Sequence, residues 1–292
     1  MIFLLEGLDK TGKSTLAEVL RKKLRCEIVK FSAPGSDAYL EYSRFLDSNN
    51  PTKDYILDRF CHGELCYGPV LRGRSQLSFE DLRYLELRLL SFGVVPIYCF
   101  TDVNHICENM VNRREESTKI NQVIPIVKNF NALLADSTCL DWLHYNFKLQ
   151  KLKAFVKKLC ILKRPKSLTK LQLKNWLGPS NPKVVFVLDK KNINLADKHI
   201  LDSISGRFLL NCLWKTQHNW FNKFAYTNQA RLNLSLINGR RVIALGQKAN
   251  NKLLIEGFKT HRQASHPQFA KRFYGKNGKL RYEKELVNAL IS

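Results

Sequence analysis

The sequence predicts an α/β protein of two domains, each a mainly parallel sheet flanked by helices. Three observations carry this expectation. An apolar run, Ile2–Leu5, leads straight into a glycine-punctuated loop and an amphipathic helix. Short apolar runs then alternate with helical periodicity as far as residue 160. After a stretch rich in Pro, Gly and Ser the alternation restarts with a different charge balance.

Taken in order, Ile2–Leu5 reads as a buried strand. Thr15–Leu24, apolar at Leu16, Ala17, Val19, Leu20 and Leu24, reads as the helix after the loop. Cys26–Phe31 is the second strand and Ala38–Leu46 a helix. Tyr55-Ile56-Leu57 forms a short apolar strand that ends in Asp58-Arg59. Phe79–Phe92 is helical, with Leu82, Leu85, Leu89 and Leu90 on one face, and Val94–Phe100 is a strand. A helix through Ile106–Val111 runs into Arg113-Arg114-Glu115-Glu116. Val123–Leu134 is a further helix, His144–Phe147 a strand, and Leu149–Cys160 a lysine-studded helix. These bounds make 1–160 the first domain, 161–182 a connection holding a short helix (Leu168–Leu177), and 183–292 the second domain. In the latter, Val184–Leu188, Tyr226-Thr227-Asn228 and Val242–Leu245 read as strands, and Lys248–Leu254 opens a helix.

The loop is the most specific feature. Gly7-Leu8-Asp9-Lys10-Thr11-Gly12-Lys13-Ser14 fits G-x-x-x-x-G-K-[ST] at every fixed position. Gly7 and Gly12 let backbone N–H groups crowd round phosphate oxygens, and the following helix points its positive end at them. Lys13 then reaches the β- and γ-phosphates while the Ser14 hydroxyl ligates Mg²⁺. A chance glycine turn is the alternative, and the order strand–loop–helix weighs against it. Asp58 at a strand end falls beside that loop, where it can hold Mg²⁺ through water or accept a hydroxyl proton; Arg59 can clamp an acceptor or a moving phosphoryl group. An ordinary surface ion pair is the competing account of Asp58-Arg59.

Composition narrows the class. Hydrophobic residues make up 45% and charged residues 25% of the 292, the profile of a globular chain with room for two cores. No apolar run is long enough to span a bilayer, and Glu6 interrupts the first one, so neither membrane insertion nor a signal peptide is expected. The eight cysteines form no CxxC pair, which points to reduced thiols in a cytosolic protein. The net charge of +23 is unevenly spread: residues 1–160 hold 23 Lys+Arg against 19 Asp+Glu, and residues 161–292 hold 25 against 6. So one-sided an excess is the electrostatic footprint of a polyanion binder, with solubility charge as the plainer reading.

The phosphate loop, with Asp58-Arg59-Phe60, resembles the thymidylate kinase family over roughly the first 160 residues. The resemblance implies a P-loop kinase fold, ATP and Mg²⁺ as cofactors, Lys10 as a further phosphate contact, and Arg113 and Arg114 as lid arginines on the ATP phosphates. A solvated helix end is the other account of those two arginines. The run after Asp58-Arg59 departs from nucleotide kinases. There Glu64 and Tyr67, with Arg72 and Arg74 on a glycine-flanked loop, are candidates for the acceptor; a polar surface loop is the alternative. His62 is either a structural or a catalytic residue.

The second domain resembles the uracil-DNA glycosylase superfamily. Val184–Leu188 with Asp189 is similar to that family's first strand and acid, Ala225-Tyr226-Thr227-Asn228 to the strand whose asparagine reads a uracil edge, and Ser265-His266-Pro267 to its His-Pro loop. The loop at Asp189 lacks the family's Gly and Pro, which speaks against glycosidic cleavage, and Cys212 alone beyond Cys160 excludes an iron–sulphur cluster. A pocket with Asp189, Asn228 and His266 can still hold an extruded pyrimidine. Trp214, Trp220, Phe221, Phe224 and Tyr226 interleave with Lys215, His218 and Lys223, a mixture suited to base stacking beside phosphates, or to a core.

Together the halves resemble the phage 5-hydroxymethyluridine DNA kinases. That resemblance implies ATP-Mg²⁺ on Gly7–Thr15, with Asp9, Thr11 and Thr15 in the contact set, and Lys13, Asp58 and Arg59 as catalytic groups. It implies Ser14 and Asp58 at the metal, modified phage DNA as partner, and the host cell cytoplasm as location. Two other readings stay open: a deoxynucleoside monophosphate kinase fused to an active or degenerate glycosylase, and a nucleotide-regulated DNA-binding protein.

Overall fold

A computed structural model describes the chain apart from Ser36, 49–52, 114–117, 163–167, 169–172, 174, 190–200, 259–260 and Ser292. It divides into two compact units, Met1–Ser167 and Leu168–Ser292.

The first unit is a five-stranded sheet of β1 (Ile2–Glu6), β2 (Glu27–Lys30), β3 (Tyr55–Asp58), β4 (Val94–Cys99) and β5 (Leu143–Tyr145). The strands lie in the order β2-β3-β1-β4-β5, all pairs parallel. A parallel sheet is covered on both faces, and β1, at its centre, is buried along its whole length. The helices are α1 (Lys13–Leu24), α2 (Ala38–Ser48), α3 (Cys61–Arg72), α4 (Phe79–Ser91), α5 (Val103–Arg113), α6 (Ile120–Asp136) and α7 (Leu152–Ile161). α1 turns Leu16, Ala17 and Leu20 into a core shared with Phe3, Leu5, Ile97, Phe155 and Val156, and keeps Arg21, Lys22 and Lys23 in its last turn, where they oppose the helix dipole. A Ser78–Asp81 capping box starts α4.

α3 is the departure from expectation. Gly63, Gly68 and Pro69 suggest a loop, yet 61–72 is helical and ends at Gly73, φ 74°. Gly68 is there for space. A Cβ on it would lie 2.7 Å from Glu64 Oε1 and 2.9 Å from the Arg74 carbonyl, because the chain after α3 folds back across it.

The second unit holds β6 (Trp176–Leu177), β7 (Val184–Leu188), β8 (Phe224–Asn228), β9 (Arg241–Leu245) and β10 (Arg262–Ala264), in the order β10-β9-β7-β8-β6. β6 is the antiparallel edge and the other pairs are parallel. The end of the expected helix at Leu168–Leu177 is instead a strand, and 169–172 and 174 lie outside the described residues: Trp176 pairs with Thr227, the Thr227 hydroxyl donates to the Asn175 carbonyl at 2.8 Å, and Leu168 joins the core. The longer helices are α8 (Ile204–Gln217), α9 (Gln247–Ile255), α10 (Pro267–Phe273) and α11 (Gly278–Ile291). Phe221, Phe224 and Tyr226 are core, Trp214 lies edge-on to Phe221 at 5.3 Å, and Trp220 is 47% exposed beneath the Lys183 ammonium. The stacking mixture thus reduces to Trp220 and its cation.

No helix among the described residues is long and apolar enough to cross a membrane. The cysteines are free thiols, mostly buried.

Candidate phosphate-loop active site

β1 and β3 end side by side, Leu5 in register with Asp58, so the loop after β1 and the turn after β3 open from one carboxyl edge of the sheet. Open α/β sheets bind ligands there. The loop is shaped by positive φ at Gly7 (130°), Lys10 (64°) and Gly12 (83°). At Gly7 only glycine fits, since a Cβ would lie 2.0 Å from the Cys99 carbonyl oxygen of β4. The Thr11 hydroxyl donates to the Leu8 carbonyl at 2.7 Å. The Lys13 ammonium donates to the Gly7 carbonyl at 2.8 Å and to that of Leu8, which holds it across the loop. Burial, with the Arg59 cation beside it, pulls the Lys13 pKa below the ordinary lysine value. Ser14 and Thr15 are exposed in the first turn of α1, at the positive end of its dipole.

Arg59 carries the turn out of β3. Its backbone is left-handed, φ 69°, a conformation that costs a non-glycine residue about 1–3 kcal/mol and is held here by its N–H donating to the Leu5 carbonyl at 2.9 Å. The turn sends the guanidinium to an ion pair with Asp9 of the loop, over the Tyr67 ring at 5.4 Å. Burial opposes ionisation of Asp9, but Arg59, Lys13 and Lys10 outweigh it and hold its carboxyl below the usual range. Asp58 is 8% exposed at the strand end. Tyr67 borders a small recess with Leu8, Asp9, Ile106, Met110, Thr118 and Val123, and its buried hydroxyl has no hydrogen-bond partner among the described residues.

Other expected residues are placed differently. Glu64 is buried and turned inward: it accepts from Arg72 and, at 2.8 Å, from the Gln76 N–H, so Glu64 and Arg72 fasten the chain after α3 instead of facing an acceptor. Arg74 is exposed on that turn. Arg114 and the side chain of Arg113 lie outside the described residues. His62 is wholly buried, 2.8 Å from Glu86 and edge-on to Trp142, a structural placement.

The sequence reading missed Glu6. Its Oε1 accepts from the N–H groups of Phe60 at 2.8 Å and Gly63 at 3.3 Å, capping α3 from the end of β1. Burial raises its pKa. A lone carboxylate ending an otherwise apolar strand was the available signal.

The second unit has its own carboxyl edge. Asp189 follows β7, Asn228 ends β8 in register with Leu188, and His266 follows β10. Asp189 accepts from the Ala249 N–H of α9 at 2.8 Å, Asn228 from the Ala230 N–H at 3.1 Å, and His266 Nδ1 from the Gln268 N–H at 3.2 Å. A Cβ on Gly246 would sit 3.0 Å from Asp189 Oδ2 and 3.1 Å from the His266 Cβ, so the acid and the imidazole flank one glycine. Burial lowers the His266 pKa against the pull of Asp189. Among the described residues no three His, Cys, Asp or Glu side chains gather as a metal cluster.

A central parallel strand that enters a lysine-bearing phosphate loop, with an Asp-Arg pair at the neighbouring strand end, defines a P-loop nucleotide-binding unit. No family model matches the chain. The SPbeta prophage-derived uncharacterized protein YorR of Bacillus subtilis (strain 168) is 25% identical over 142 residues, 47% of this chain and 83% of that protein. Among solved structures, YorR from Bacillus subtilis in complex with phosphorylated GDP is 21% identical with a TM-score of 0.48, over 56% of this chain and 95% of its own. Deoxyadenosine kinase from M. mycoides, with dCMP and a flexible dCDP bound, is 16% identical with a TM-score of 0.37, over 55% of this chain and 97% of its own. Each of these likenesses covers about half of this chain.

Proposed function

We propose that the chain is an ATP-dependent kinase that phosphorylates the hydroxymethyl group of 5-hydroxymethyluracil in DNA. The observation that carries the reading is the convergence of Lys13, Asp58 and Arg59 on one sheet edge, in a chain whose second half holds 25 Lys+Arg against 6 Asp+Glu. ATP lies along Gly7–Thr15. The Ser14 hydroxyl, with the Asp58 carboxylate reaching through a water, makes a hard oxygen set that suits Mg²⁺, which when bound would neutralise charge on the β- and γ-phosphates. Asp58 orients the acceptor hydroxyl and takes its proton. The hydroxyl oxygen bonds to the γ-phosphorus as the bond to the β-phosphate oxygen breaks, releasing ADP. Lys13 and Arg59 offset the charge on the moving group.

Asp189, Asn228 and His266 are proposed to receive the extruded pyrimidine, with Asn228 reading its edge. Extrusion costs a few kcal/mol, which stacking and edge hydrogen bonds offset. The cationic half supplies affinity by releasing counterions, so binding weakens steeply with salt.

A second reading, in which a free deoxynucleoside or its monophosphate is the acceptor, draws on the Tyr67 hydroxyl, which is buried at the recess beside Asp9 with no hydrogen-bond partner among the described residues. Incubation with γ-labelled ATP separates the two. Label in hydroxymethyluracil-containing DNA supports the first; label only in free nucleosides or nucleotides overturns it.

A further inference from the structure

Apart from the two strand edges, the second unit carries a groove of about 500 Å³ whose lining includes Arg262, Tyr274, Arg281, Lys284, Glu285 and Asn288. Arg262 stands on β10. Arg281, Lys284 and Asn288 follow the i, i+3, i+7 spacing of α11 and so share one helix face. Glu285 is the acid in the lining, and its carboxylate is already engaged: it accepts from the Ser265 N–H and from the Tyr274 hydroxyl, each at 2.6 Å. Arg281 lies over the Tyr274 ring with its Cζ 4.3 Å from the centroid, which steadies the guanidinium at the groove wall. Lys271, Arg272 and Lys279 add exposed cations on the adjoining helices.

We propose that this groove seats the phosphodiester backbone of a nucleic-acid strand. Its lining is polar and cationic, unsuited to a base or an acyl chain. Arginine forks match phosphate oxygens in pairs. At a rise of about 1.5 Å per residue, positions 281 to 288 span roughly 10 Å, long enough to meet successive phosphates of one strand. Against the one carboxylate of Glu285, Arg262, Arg281 and Lys284 leave the lining net positive. The inference rests on the reading that the chain takes DNA, and adds where the strand lies.

Fluorescence anisotropy of the full chain with a short labelled DNA duplex, between about 50 and about 200 mM salt, tests it. Arg281→Ala/Lys284→Ala is expected to weaken binding at least tenfold and to reduce the slope of log K on log salt by about 2. Lys22→Ala/Lys23→Ala, an equal charge change at the exposed end of α1, is expected to stay within about twofold. Asn288→Lys, which adds a cation to the groove, is expected to tighten binding, a gain that misfolding cannot mimic. Equal losses in the two double variants, no gain from Asn288→Lys, or displacement of DNA by polyglutamate or millimolar inorganic phosphate as readily as by unlabelled DNA would each overturn the groove. DNA binding that survives in Arg281→Ala/Lys284→Ala sinks this inference alone. No DNA binding by the unaltered chain sinks it together with the proposed function.

Discussion

The two units place their reactive residues at the same kind of address, the carboxyl edge beside a central parallel strand, but furnish it from different materials. In the first, the edge is mostly backbone: Gly7, Lys10, Gly12 and Arg59 all hold positive φ, and the Lys13 ammonium is laid across the Gly7 and Leu8 carbonyls. In the second, the edge is side chain: Asp189, Asn228 and His266 each accept a backbone hydrogen bond, and Asp189 and His266 border Gly246. Backbone donors suit phosphate oxygens of any nucleotide, whereas placed side-chain acceptors and amides suit a particular ring edge. On the proposed function, one sheet edge takes the fuel and the other reads a base.

The strongest attempt to break that contrast is Lys13→Ala. Labelled phosphate transfer is expected to fall roughly 10²–10³-fold, the scale of losing one charge-stabilising donor, with DNA affinity unchanged. Parallel loss of both would show that the edges do not divide the work. Asp58→Asn keeps the shape of the strand end while removing the base. Single-turnover rates should drop roughly 10²-fold or more while ATP affinity, read by titration calorimetry, changes little. In the second unit, Asn228→Ala should weaken preference for hydroxymethyluracil over hydroxymethylcytosine duplex in competition binding and leave transfer to the free nucleoside intact.

Smaller effects sharpen the contrast. Gly68→Ala puts a Cβ against Glu64 and the Arg74 carbonyl, so denaturant melts should show a loss of about 1–3 kcal/mol. For His62, burial disfavours the charged ring, but Cys61 and Glu86 outweigh it and hold the pKa well above 6.5. Its folded pKa is raised, so its contribution is complete below that ordinary value and is lost as pH climbs through the folded one. The melting temperature should therefore fall more from neutral to alkaline pH in the unaltered chain than in His62→Gln.

What was legible in the sequence follows from how local the causes are. β1, the loop and α1 were readable because strand burial, glycine turns and helical periodicity act within a few residues. α3 was not: Gly68 and Pro69 argue locally for a loop, and the reason for Gly68 lies in a carbonyl six residues on. Glu64 and Tyr67 are three apart on that helix, yet one points into the fold and the other borders the recess, a difference set by where Gln76 and Arg72 close. Strand β6 escaped because Trp176-Leu177 pairs with Tyr226 and Thr227, fifty residues away. That Asp189, Asn228 and His266 stand at or just after strand ends was legible from the strand pattern; that each already accepts a backbone N–H was not.

Glu6 joins two things that enzymology treats as separate substrates. It ends the strand that feeds the phosphate loop, and its carboxylate holds the first turn of α3, the helix that carries Tyr67. On the proposed function, a shift of the loop on taking up a nucleotide reaches the acceptor side through Glu6 as well as through the Asp9–Arg59 pair over Tyr67. Thermodynamic reciprocity then makes each substrate alter the other's dissociation constant by the same factor, and Glu6→Ala should reduce that factor.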